Sequence, residues 1–155
     1  MGKRLGVLGA AIALIAVTVG AISPALGSSG DDDEQRTIRV VSVLEEEEFL
    51  DLGAKGESIG DQFIFTSKLL KGGEQVGHDG VVCTIVSLER QEAQCVGTSW
   101  FSGGQITLQA LISFAEEPPA VPITGGSGKY EGAEGELHIR PVSETKEVLT
   151  FHLED

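Results

Sequence analysis

The chain has 155 residues, 41% of them hydrophobic and only 5% aromatic, enough for one ordinary domain but poor in rings for a base- or sugar-stacking face. That length excludes a dinucleotide-binding enzyme with a second substrate domain, and an eightfold β/α barrel. Acids number 24 against 11 Lys and Arg, giving a formal net charge of −13, so phosphate backbones are repelled and no nucleic-acid partner is expected.

Residues 1–27 begin with Lys3 and Arg4, contain no acid, and carry an apolar run from Leu5 to Ile22, followed by Pro24-Ala25-Leu26-Gly27. A short basic start, an apolar stretch and small residues before a break read as a secretory signal peptide, cleaved after Gly27. The alternative is a membrane anchor, since the run is about long enough to span a bilayer. Cleavage predicts a secreted, extracellular protein with no membrane contact once the signal is removed. It takes away two cations and no acid, so the exported chain is more acidic still.

Residues 28–36 open with Ser28-Ser29-Gly30-Asp31-Asp32-Asp33-Glu34, which has no apolar residue and four successive acids; this is an expected disordered linker. The domain proper is expected over 37–155. Thr37 to Leu44 is β-branched and apolar, a first strand. The acid run Glu45 to Glu48 then reads as a solvated strand exit or a frayed helical turn. Leu44 to Ala54 is the one window that suggests one or two turns of helix.

From there the pattern is strand after strand. Asp61 to Leu70 carries Phe63, Phe65 and Leu69 on one parity, and Gly72-Gly73 supplies a turn. Residues 75–88 and 93–101 form a hairpin around Glu89. Cys83 and Cys95, the only two cysteines, would then stand directly opposite each other. An even count in an exported chain predicts a Cys83–Cys95 disulfide; two buried free thiols are the alternative. Trp100 and Phe101 precede the Gly103-Gly104 turn, where they would plug a barrel end or gate its mouth. Gln105 to Ala115 alternates cleanly, with Ile106, Leu108, Ala110, Ile112 and Phe114 on one face. Ala120 to Thr124, Glu136 to Pro141 and Lys146 to Leu153 complete seven or eight strands, an antiparallel sandwich or barrel.

The glycine-rich stretch Thr124 to Gly135 imitates phosphate-binding loops without being one. A Walker A loop needs Gly where Ile123 stands and Ser or Thr where Tyr130 stands, and a dinucleotide fingerprint fails at Glu131. It is expected instead to be a compact connection with several positive-φ glycines. His78, His138 and His152 have no zinc-like spacing, and His138 and His152 fall on the polar parity of their strands. No metal and no cofactor is therefore expected, and no Gly-x-Ser-x-Gly nucleophile elbow occurs.

Five segments, in order, resemble the allene oxide cyclase barrel family, including its exported bacterial members. They are Gly60 to Leu69, Val76 to Cys83, Gly104 to Gln109, Ile123 to Gly132, and Thr150 to Leu153. The resemblance covers about residues 38–153 and implies an eight-stranded antiparallel barrel, the fold shared with dirigent proteins, whose lumen binds a small apolar molecule. In the plant enzymes that lumen closes an unstable fatty-acid epoxide into a ring. An anion and a bound water assist, and the apolar wall folds the substrate. The plant relatives are trimers, so a homo-oligomer is a further implication.

Carried over position by position, the resemblance puts the catalytic carboxylate at Glu45 and the lumen cysteine at Cys83. The water-holding Asn becomes Ser67, and a lumen Tyr becomes Ile112. Phe63, Phe65 and Leu108 complete the expected ligand-binding wall, and Val43 and Phe151 are expected to point inward with them. Three functions fit: an isomerase or cyclase of allene oxide cyclase type, a non-catalytic carrier of hydrophobic ligands, or a structural barrel filled by side chains.

Overall fold

The computed structural model describes residues 36–116 and 120–154. The expected signal peptide and nearly all of the acidic linker lie outside the described residues. Arg36, the last residue assigned to that linker, already opens the first strand.

Eight strands follow in chain order: β1 (Arg36–Leu50), β2 (Gln62–Lys71), β3 (Glu74–Ser87), β4 (Glu92–Phe101), β5 (Gly104–Ser113), β6 (Val121–Gly128), β7 (Glu134–Ser143) and β8 (Lys146–Glu154). Each pairs antiparallel with the next, and β1 pairs with β8 to close the barrel. The all-β expectation holds, and closure decides between sandwich and barrel. Among the described residues there is no helix.

The expected helical turns at Leu44 to Ala54 are not formed. β1 runs unbroken to Leu50, and the acid run sits inside it, with Glu46 paired to Thr66 and Glu48 to Ile64. A bulge between Leu44 and Glu46 bends the strand, and ladder bonds to β2 satisfy a backbone that a short, acid-rich helix would have left exposed. At its far end Phe49 meets Phe63, ring centroids 4.9 Å apart.

The loop between β1 and β2 is pinned from within. The Asp61 carboxylate accepts the backbone amides of Leu52, Gly53 and Ser58 at 2.9, 3.1 and 2.6 Å. Desolvation raises the pKa of this side chain, but these bonds outweigh it and leave the carboxyl below its usual range.

One end of the barrel is closed by packing. Phe101 meets Phe151 edge-on with centroids 5.7 Å apart and Tyr130 at 5.8 Å, over the fully buried Leu69 and Ile106. So Phe101 does plug an end, as expected of it, while Trp100 lies on the outer face and stacks on His78. The glycine stretch is less a loop than expected, since β6 continues to Gly128 and pairs with β5 across Gly125 and Gly126. A Cβ at Gly126 would collide with the carbonyls of Tyr130 and Gln105, and Gly128 turns the chain at φ 62°.

Candidate active site in the barrel lumen

Strand alternation decides what faces inward. On β3 the odd positions Asp79, Val81 and Cys83 face the lumen, and on β5 the even positions Leu108, Ala110 and Ile112 do so. Above the aromatic plug these strands enclose a cavity of about 410 Å³. Its wall is mainly apolar, built from Phe65, Val81, Leu108, Ile112, Leu137 and Leu149. Small residues keep it open. Gly97 faces the lumen with no side chain, and a Cβ there would lie 3.1 Å from the Val81 methyl.

The floor of the cavity is polar. Ser42 on β1 pairs with Glu147 on β8; Ser67 on β2 pairs with Asp79 on β3; Asp79 pairs in turn with Ser99 on β4. These residues form an arc across five neighbouring strands, between plug and cavity. Asp79 is only 7% exposed, and its Oδ1 has no hydrogen-bond partner. Burial pushes its carboxyl up to about 6, against hydrogen bonds from the Ser67 hydroxyl and amide; the nearby Glu147 charge adds to the rise, and His78 on the outer face opposes it. Glu147 is itself pushed up by burial.

The two cysteines form the expected disulfide, opposite each other with Cα atoms 4.0 Å apart, and both line the cavity. Cys83 therefore contributes a disulfide sulfur to the wall and not the lumen thiol that the family resemblance implied.

Of the other expected site residues, Phe65, Leu108 and Ile112 line the cavity itself. Phe63 lies in a mouth chamber that shares Phe65, Cys83 and Phe114 with the cavity. Ser67 is buried in the floor behind Asp79. Phe151 points inward but belongs to the plug.

Two expected positions differ. Val43 pairs with Lys68 on the outer parity, because its neighbour Ser42 is the one that lines the cavity. Glu45 is exposed, with its carboxylate 3.7 Å from Lys68 Nζ on the outer surface, and it does not line the cavity. The bulge between Leu44 and Glu46 shifts the strand by one, so that Glu47 is the member of the acid run that reaches the mouth. The carboxylates that do face the lumen, Asp79 and Glu147, carry a sequence signal. Each is an acid on an otherwise apolar parity, Asp79 with Val81 and Cys83, and Glu147 with Leu149 and Phe151.

The result is a closed antiparallel barrel with one packed end, one open apolar chamber and buried carboxylates on its floor. Residues 39–153 match the allene oxide cyclase barrel-like domain family, and the chain belongs to that family. Among solved structures it is similar to a pyocyanin demethylase, with 29% identity and a TM-score of 0.68 over 76% of this chain and 99% of that one. It shares its fold with a nonspecific heme-binding cyclase that catalyses a cycloaddition in neoabyssomicin biosynthesis, at 16% identity and TM-score 0.61, over 80% of this chain and 66% of that one. It shares it also with a Diels–Alderase from Streptomyces koyangensis, at 14% identity and TM-score 0.60, over 78% of this chain and 70% of that one. No curated protein matches the sequence significantly.

Proposed function

We propose that the protein is an exported enzyme of the isomerase or cyclase class. It takes a small, largely apolar molecule into the barrel lumen and rearranges it by proton transfer at Asp79. The observation that carries this reading is a buried, half-unpartnered carboxyl on the floor of an apolar cavity of about 410 Å³. A carboxyl held near 6 is matched to giving and taking protons around neutral pH. The apolar wall supplies the rest, holding the substrate folded and excluding water. Glu147 adds a second buried acid to the floor, and the Ser67 hydroxyl and amide hold Asp79 in place. Glu45, paired with Lys68 outside, has no part in this scheme.

The names of the similar proteins support small-molecule chemistry in such a barrel, since one is a demethylase of pyocyanin and two others form rings. Export rests on the basic and apolar N-terminus and on the disulfide, which oxidising compartments maintain. A carrier needs the cavity but not the acid, and burying a carboxyl without a full set of partners destabilises a fold that has no use for it.

The test is native mass spectrometry of protein taken from its own culture medium, to find a co-purified compound. That compound, or its precursor, is then incubated with the unmodified and Asp79→Asn proteins. Turnover by the first and binding without turnover by the second is the expected result. A compound bound and returned unchanged by the unmodified protein would make it a carrier.

A further inference from the structure

The charges around the cavity all have one sign. Asp79 and Glu147 lie on its floor and Glu116 beside it, while Glu47, Glu57 and Glu92 line the mouth chamber. Among the described residues, no Lys, Arg or His lines either space. Of these acids Glu92 is partly neutralised, by Arg90 at 2.7 Å on the outer side. Lys68, the cation that answers Glu45, points away from the lumen.

An acidic rim alone would mean little on so acidic a chain. The independent observation is Asp79, a residue only 7% exposed that lines the cavity and whose Oδ1 has no partner in the protein. A buried carboxyl in that state calls for a donor, and the cavity that Asp79 lines is where a ligand would sit. A ligand carboxylate cannot fill that role. It would sit beside two acids in a low-dielectric chamber with no cation to balance it.

Building on the proposed lumen function, we infer that the site selects a largely apolar molecule bearing a positive charge or an N–H donor at one end, such as an amine or an organic cation. It rejects free carboxylates, including fatty acids. The acidic mouth steers such a cation inward, the apolar wall takes its apolar body, and the floor takes its charged end. This sets the protein apart from the fatty-acid chemistry implied by the family resemblance.

The experiment compares three fluorescent probes of nearly one shape, N-methylacridinium, neutral anthracene and acridine carboxylate. Each is titrated at about pH 8, where Asp79 is ionised. The expected result is that the cation binds at least about tenfold more tightly than the anion. The Ile112→Trp variant should lose binding of the cation, and Asp79→Asn combined with Glu147→Gln should bring the two affinities together. Circular dichroism checks that each variant is folded; if the double variant is not, Glu147→Gln alone is expected to narrow the gap in the same direction. Equal or tighter binding of the anion, itself blocked by Ile112→Trp, would overturn charge selection while leaving the lumen site standing. Cation binding that survives Ile112→Trp would place the probe on the acidic exterior and overturn both readings, as would failure of all three probes to bind.

Discussion

Cys83 and Cys95 stand directly opposite each other on β3 and β4, and the bond between them faces the lumen of the barrel. It closes a short hairpin within the strand pair that carries Asp79. Closing a loop with a sequence separation of 12 restricts the unfolded chain more than the folded one. Replacing both cysteines by Ser is expected to lower stability by about 3 kcal/mol, measured by urea unfolding. Thiol titration of the unreduced, denatured protein should find no free thiol; two per chain would contradict the bridge.

Asp79 gives the stability a distinctive pH dependence. Its carboxyl rises from an ordinary value near 3.8 when unfolded to about 6 when folded, among Ser42, Ser67, Ser99 and Glu147 inside and His78 outside. The folded state therefore holds the proton longer than the unfolded state. The stabilisation from that bound proton is present at acid pH and is lost as pH rises from about 4 through about 6. Asp79→Asn has no such loss. Relative to the unmodified protein, the variant should gain about 2 kcal/mol between pH 4 and pH 7, read from denaturant midpoints. A difference that does not change with pH would show that Asp79 is not perturbed.

An open lumen predicts tolerance of a larger side chain. Ile112 lines the cavity, so Ile112→Trp has space to fill and should change stability by less than about 1 kcal/mol. In a packed core the same change costs about 1–3 kcal/mol through displaced neighbours. Thermal unfolding distinguishes the two. A large destabilisation would mean the barrel is filled.

Asp61 tethers the β1–β2 loop through three backbone amides. Asp61→Ala removes all three hydrogen bonds, and the loop should open while the barrel stays closed. Lys55 lies in this loop and is exposed, so limited trypsin digestion should cut after Lys55 several-fold faster in the variant. The wild-type tether depends on ionised Asp61, whose pKa is lowered in the fold. Its contribution is present above the usual carboxylate range and is lost as pH falls through the lowered value. An unchanged cleavage rate would show that the loop is held by other contacts.

Much of the barrel is legible in the amino-acid sequence. The even positions of Gln105 to Ala115 and the odd positions of Asp61 to Leu70 match the inward faces of β5 and β2. The hairpin centre at Glu89 puts the cysteines in register, and the match to the family runs over residues 39–153. The acid run is harder. Four successive Glu carry no alternation, so nothing local says whether they continue a strand or leave it, and a bulge beside them changes which one faces in.

The sequence by itself determined that the chain is all-β, which face of most strands is apolar, and that the cysteines stand opposite each other. These are local properties, written in a period of two along each strand and in the spacing of turns. Only the tertiary structure decided which acids face the lumen. Glu45 sits beside the motif that suggested it, yet the bulge and the pairing with Lys68 hold it outside. Asp79 and Glu147 are far apart in the chain. They share one floor because β8 closes against β1 and carries Glu147 alongside Ser42, two strands from Asp79. Closure of the sheet is a long-range event, and burial, the main cause of the raised Asp79 pKa, exists only once it has happened.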